Sequence, residues 1–205
     1  MASEILLATR SRDKAAEIME LVASVATARL TSLQELGIEA SASEDDLEVH
    51  HTFIENAIAK ARYFAGRTGR ITLADDSGLM VDALSGQPGV RTKRFASDHG
   101  IQAIDQDEAN NDLLLEQLKD LPDERRGAQY VCAAALAWPD GTLLTAVGTC
   151  SGRIAHARQG TGGFGYDPLF VIPDLAVTFA QLTRPQKNQR SHRAHAVRAL
   201  AAHMK

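Results

Sequence analysis

Residues 71–84 read ITLADDSGLMVDAL, and both the fold and the chemistry of this chain turn on them. Ile71 to Ala74 is a short apolar run of the kind expected in a buried strand. It leads into Asp75-Asp76-Ser77-Gly78. Leu79 to Leu84 then reads as a further strand, before the turn Gly86-Gln87-Pro88-Gly89. Two adjacent carboxylates at the end of a buried strand are costly to desolvate unless a cation accompanies them, and a divalent metal is the usual one. Ser77 and Gly78 suit a backbone that must come close to a ligand. Taken alone, the same residues equally describe a strand that ends in an Asx-turn.

Outward from this stretch the pattern alternates between strand and helix. Upstream, Thr52 to Thr68 is predicted as a helix with Phe53, Ala57, Ala61 and Phe64 on one face, closed by Gly66 and Gly69. Glu4 to Thr9 reads as a buried strand, and Lys14 to Ser24 as a helix carrying Ala15, Ile18, Met19 and Val22 on one side. A strand, a polar turn and a helix open an α/β unit, and Val25 to Leu30 suits the next strand. Downstream, Asp105 to Leu118 has helical spacing. Ala128–Trp138 and Leu143–Cys150 form an expected antiparallel hairpin turned at Pro139-Asp140-Gly141. A glycine-rich loop, Gly160 to Asp167, precedes the apolar run Pro168 to Ile172. Ser191 is placed to cap a last helix that ends near His203. The expectation is a mixed α/β fold whose sheet is not purely parallel, in one domain over residues 1–205 without a linker.

Composition narrows the function. The 205 residues are 44% hydrophobic and 23% charged, with a formal net charge of −4. A general nucleic-acid or membrane binder would carry a basic excess, so neither partner is expected. The longest apolar stretch, Val131 to Trp138, is too short to span a bilayer. MASEILLATR has neither the basic start nor the apolar run of a signal peptide. The two cysteines, Cys132 and Cys150, have no metal-ligand spacing and are expected to be reduced core residues, which fits a cytoplasmic protein.

Four further segments carry polar chemistry. Glu44-Asp45-Asp46-Leu47-Glu48 is mostly a solvated loop, but one of its carboxylates could join Asp76 around Mg²⁺, which takes few protein ligands. Thr9-Arg10-Ser11-Arg12-Asp13-Lys14 enters a helix N-terminus, which offers free N–H groups to phosphate. The GxxxxGK[ST] pattern of a P-loop is absent. GTGGFGYDP, residues 160–168, allows close backbone approach, and Phe164 and Tyr166 could stack on a base. Lys187-Asn188 and Ser191-His192-Arg193 place donors at the start of the last helix. Each segment alone is also consistent with an ordinary polar turn, a flexible crossover or a basic helix start. Only six of the 22 basic residues are lysines, yet Lys14 and Lys187 fall in these segments and Lys60 in the Thr52–Thr68 helix.

Together the segments LLATRSRDK, TFIENAIAKA, LADDSGLMVDAL, QPGVRTKRFA, GTGGFGYDPLF, TFAQLT and KNQRSHRAHA resemble the inosine triphosphate pyrophosphatase family, in the family's order and over almost the whole chain. The resemblance implies an elongated mixed sheet with flanking helices, two lobes around a central substrate cleft, and a homodimer. It implies hydrolysis of non-standard purine nucleoside triphosphates (ITP, dITP, XTP) to the monophosphate and pyrophosphate with Mg²⁺. By matching position, Asp76 is the general base and a metal ligand, and Glu48 a further ligand. Asp75 and Lys60 join the catalytic group. Thr9, Arg10, Ser11, Arg12, Asp13, Lys14, Ser77, Phe164, Gly165, Tyr166, Asp167, Lys187, His192 and Arg193 are the implied substrate contacts. The chain departs from the family at Ser11, where Asn is usual, at Glu48-Val49-His50-His51, where the family carries E-T-G, and at Thr92-Lys93, where small residues are usual.

The resemblance leaves two rivals: a nucleotide-binding regulator without turnover, and a pyrophosphatase of modified pyrimidine nucleotides. The Asp75-Asp76 pair argues against the first, because pure triphosphate binding gains little from extra anions. Ser191-His192-Arg193 favours purines by resemblance. Arg193 has only donors, so it is expected to read the C6 oxygen of hypoxanthine or xanthine and to reject the amino group of adenine.

Overall fold

The computed structural model describes residues 3–204; Met1, Ala2 and Lys205 lie outside it. In chain order the elements are β1 (Glu4–Leu7), α1 (Arg12–Val25), β2 (Arg29–Ser32), a 3-10 segment (Ala42–Glu48), α2 (Phe53–Thr68), β3 (Thr72–Val81), α3 (Phe95–Asp98) and α4 (Gln106–Leu118). There follow β4 (Gly127–Ala137), β5 (Leu143–Ile154), β6 (Phe170–Ile172), β7 (Val177–Thr178), α5 (Arg184–Arg190) and α6 (His192–Leu200). The strands form one seven-stranded sheet in the order β2-β1-β3-β4-β5-β6-β7. It is mixed, as expected: β1 pairs in parallel with β2 and β3, whereas β6 pairs antiparallel with β5 and β7.

The chain divides into two compact units. The first holds Met1–Ser77, Cys132–Thr149 and Ser191–Lys205, and the second Gly78–Val131 and Cys150–Arg190. Each has its own apolar core. In the first unit Ile5 and Leu7 of β1, Ile18, Leu21 and Val22 of α1, Leu73 of β3 and Leu136 of β4 pack with Ala194, Val197 and Leu200 of α6. Full burial of each large aliphatic side chain is worth about 1.5–3 kcal/mol. The second core is aromatic. Tyr130, Phe170 and Phe179 meet there with ring centroids 4.6–5.7 Å apart, beside Leu79, Leu114, Leu118 and Tyr166.

Helix starts follow from capping chemistry. Ser11, Thr52, Asp105 and Ser191 each accept a backbone N–H with the side chain, at the first turns of α1, α2, α4 and α6. Ser191 is the cap expected from sequence. Three elements differ from expectation. β3 is a single ten-residue strand, so Asp75 and Asp76 sit within a strand and not at its end. β2 begins at Arg29, because α1 continues to Val25. β5 runs on to Ile154.

Candidate active site

In the first unit, the loop after β1, α1, α2, α6 and the first part of β3 bring one polar cluster together. Asp75 is at its centre and is 2% exposed. Its Oδ2 accepts from Ser77 Oγ at 3.1 Å and Arg193 Nε at 3.4 Å, and lies 3.3 Å from Lys14 Nζ. Its Oδ1 is buried with no hydrogen-bond partner. Burial pushes the Asp75 carboxyl upward, but Lys14, Arg193 and Lys60 outweigh it and hold the group well below the usual aspartate range.

Asp76 differs. Asn56 Nδ2 donates to its Oδ2 at 2.9 Å, and Lys60 Nζ is 3.6 Å from its Oδ1. Burial raises its pKa, and Lys60, Lys14 and the Asn56 bond offset this only in part. The two neighbouring carboxyls thus sit in environments that push their pKa values in opposite directions. Lys60 Nζ also donates to Glu48 Oε1 at 2.5 Å and to the Asp75 carbonyl at 2.6 Å. Glu48 is held below the ordinary glutamate range because Lys60 outweighs the effect of burial. Burial works against the charge of Lys60 too, yet Asp76, Glu48 and Asp75 raise its pKa.

Arg193 has a position that sequence did not anticipate. It is 2% exposed, and its fork is committed within this unit: Nη1 to Glu17 Oε2 at 2.7 Å, Nη2 to Ser77 Oγ at 2.9 Å, and Nε to Asp75. Glu17 also accepts from Ser191 Oγ at 3.2 Å. The geometry gives Arg193 contacts that pin Asp75, with each of its three nitrogens donating within this unit. Glu17 and Asn56 were missed in the sequence. The signal was spacing: Glu17 follows Lys14 by one helical turn on α1, and Asn56 precedes Lys60 by one turn on α2. Each is a polar residue in line with a motif lysine.

The remaining residues of this unit divide. Thr9 and Ser11 shape the turn: Ser11 N donates to Thr9 Oγ1 at 3.2 Å, and Ser11 Oγ caps Lys14 N at 3.4 Å. In this chain the hydroxyl in the Asn position is a helix cap. Arg12 and Asp13 are exposed. His192 is buried at the first position of α6. Arg10 faces Glu44, with its donors 2.6 and 2.9 Å from the carboxylate.

The second unit holds a separate cluster. Asp167 Oδ2 accepts from Lys187 Nζ at 2.6 Å and Phe164 N at 2.9 Å, and Tyr130 donates to Oδ1 at 3.3 Å. Lys187 Nζ lies over the Phe164 ring, 4.7 Å from its centroid. Gly163 has φ +72, and a Cβ there would strike the Asp167 carboxylate and stand 2.9 Å from Asp167 Cβ, so this loop needs glycine. Gly165 receives Asn111 Nδ2 on its carbonyl at 3.0 Å. Of the two rings expected to stack, Phe164 is partly accessible. Tyr166 is buried in the second core, and its hydroxyl donates to the Thr92 carbonyl at 2.9 Å. That ring anchors the loop and does not present a face.

The chain matches the Ham1 family profile over residues 5–203. It belongs to the Ham1 family. A dITP/XTP pyrophosphatase of Nocardia farcinica is 46% identical over 199 residues, which is 97% of this chain and 93% of that protein. The solved Ham1 protein of Staphylococcus aureus is 36% identical, with a TM-score of 0.80 over 98% of this chain and 97% of its own. The solved HAM1 protein of Coxiella burnetii is 35% identical, with a TM-score of 0.82 over the same shares. The mixed sheet with flanking helices is thus the Ham1 fold. Among the described residues no helix is long and apolar enough to cross a membrane. No group of three or more His, Cys, Asp or Glu side chains among them forms a cage for a metal ion.

Proposed function

We propose that this chain hydrolyses non-standard purine nucleoside triphosphates (ITP, dITP and XTP) to the nucleoside monophosphate and pyrophosphate. The observation that carries the reading is the unequal pair on β3. Asp75 is pinned by Lys14, Arg193 and Ser77, while Asp76 is held by Asn56 and stands beside Lys60. The dITP/XTP pyrophosphatase relatives support the substrate class.

Mg²⁺ fits this cluster through Asp76 and Glu48, and Asp75 Oδ1 is a buried oxygen with no hydrogen-bond partner in the protein. Bound there, the ion would neutralise phosphate charge and polarise the phosphoryl group. Asp76 accepts the proton of the attacking water. The bond between the α and β phosphates breaks, the water oxygen stays on the monophosphate, and the electron pair leaves with pyrophosphate. Lys14 presents a compact charge to the polyphosphate. Lys60 keeps Glu48 and Asp76 ionised and steady. Thr9, Ser11 and Ser77 join Lys14 as phosphate contacts. Phe164, Gly165, Asp167, Lys187 and His192 are proposed substrate contacts, with Phe164 offering the stacking face. The protein is further read as cytoplasmic and as a homodimer, and sedimentation equilibrium tests the second.

A pyrophosphate-release assay over purine and pyrimidine nucleoside triphosphates, with and without Mg²⁺, decides the function. Release from ITP and XTP that depends on Mg²⁺ is expected. Binding without release would point to a regulator, and preference for a modified pyrimidine nucleotide would overturn the purine assignment.

A further inference from the structure

Arg10 stands in the sequence among phosphate donors, but the structure uses it differently. Its Nε and Nη2 donate to the two carboxylate oxygens of Glu44 at 2.9 and 2.6 Å, and its Nη1 donates to the Ile38 carbonyl at 2.6 Å. All three guanidinium nitrogens are engaged. The guanidinium also lies over Phe64, 5.9 Å from the ring centroid. Glu44 in turn closes the capping box of the 3-10 segment by accepting Ser41 N at 3.3 Å, and Arg67 of α2 approaches it to 3.7 Å. The same segment is tied to α2 by Ser43 Oγ, 2.7 Å from Tyr63 Oη. Its last residue is Glu48, on Lys60.

We propose that Arg10 is a positioning residue: through Glu44 it clamps the acidic segment Ala42–Glu48 to the loop after β1, and so sets Glu48 in place beside Lys60. The link to metal affinity rests on the reading of Glu48 as a ligand. Glu48 sits on a segment with no fully buried side chain, so no core packing fixes its position. A bidentate pair with a third bond to the backbone supplies that restraint. An exposed ion pair adds little to global stability, so the clamp is to be read in local order and metal affinity, and thermal midpoints will miss it.

The test uses the full chain with Arg10→Ala, Glu44→Ala, the double variant, and the reversed pair Arg10→Glu with Glu44→Arg. Amide hydrogen exchange over residues 41–48 reads the clamp directly. Calorimetric titration with Mg²⁺ alone reads its consequence. Both single variants are expected to speed exchange in that segment and to weaken Mg²⁺ binding roughly ten- to hundredfold, the usual loss when a partner that orients a ligand is removed. The double variant should be no worse than Glu44→Ala alone, and the reversed pair, which loses the Ile38 and Ser41 bonds and sets a second arginine beside Arg67, should stay impaired. Unchanged exchange in both single variants overturns the clamp. So does an Arg10→Ala effect confined to the KM for ITP, with Glu44→Ala silent, because Arg10 would then be a phosphate contact. Glu48→Gln is the control. If it leaves Mg²⁺ binding unaltered, the ligand reading fails, and exchange alone decides the clamp.

Discussion

Asp76 carries the chemical step in the proposed mechanism, and its surroundings let that be tested without disturbing the fold. Asp76→Asn keeps the shape and the Asn56 contact site but removes the proton acceptor. Activity should fall roughly 10²–10⁴-fold, as expected for a general base, with an unchanged circular dichroism spectrum; near-normal turnover in the purified variant would remove Asp76 from that role. Arg193 gives a second test at this scale. Its donors are held by Glu17, Ser77 and Asp75, so Arg193→Ala should lower kcat/KM for ITP and ATP by similar factors. A selective fall in the ITP-to-ATP ratio would instead make Arg193 a base reader. The same substitution takes a cation from buried Glu17 and leaves Asp75 with Lys14, at a cost of up to about 3–5 kcal/mol, which urea unfolding measures. The sequence made Asp75, Asp76, Lys14 and Lys60 legible as chemistry because charged residues stood against apolar runs. It could not show where Arg193 points. A helix N-terminus followed by His-Arg looks the same whether the guanidinium faces a ligand or a neighbouring helix.

At the scale of elements, the contact between β5 and α6 places that arginine. Gly148 of β5 lies against the first turns of α6. A Cβ there would clash with the His192 carbonyl and the Ala196 nitrogen, and would stand 2.8 Å from His195 Cβ. Gly148→Ala must therefore push α6 outward, against backbone that cannot rotate away. A loss of about 1–3 kcal/mol is expected for such overpacking, with activity reduced more than stability alone explains, because Arg193 moves with the helix. Equal activity and stability to the parent protein would show that α6 shifts freely. The helices α1, α2, α4 and α6 were legible from caps and apolar spacing. The run Asp75 to Gly78 was not legible as strand, since each residue favours turns. Pairing of β3 between β1 and β4 overrides that preference. The short helix α5 escaped because seven residues that include Pro185 carry no apolar period.

For the whole molecule, the two cores suit two thiols that stay protonated. Burial pushes Cys132 up to about 12 and Cys150 up to about 11, from 9.0 for each. A raised folded-state pKa contributes stability that is fully present below the unfolded value and is lost as pH rises through the folded one. The alkaline side of the stability profile should therefore decline between about pH 9 and 12. The depressed Asp75 carboxyl acts in the opposite direction: its contribution is present above 3.8 and is lost as pH falls further. Urea midpoints across this range test both limbs. At pH 8 a thiol reagent should leave Cys132 unmodified until the protein is unfolded, and rapid native-state labelling would contradict its burial. The stretches of chain that make up the two units could not be read from the residues, because no Gly- or Pro-rich linker marks a boundary; two lobes were expected only from the family resemblance.

Asp75 and Arg193 are 118 residues apart, and that interval has a meaning for synthesis. The ribosome delivers Asp75 after Lys14, but Arg193, the other cation on its Oδ2, only after β4, β5, β6, β7 and α5 have been made. Until then, a chain that packed β3 into its sheet would enclose Asp75 with Lys14 but without the arginine that shares its Oδ2. A message cut short before codon 193 therefore yields a product with a standing electrostatic fault, open to proteases and chaperones, and not a weakened enzyme.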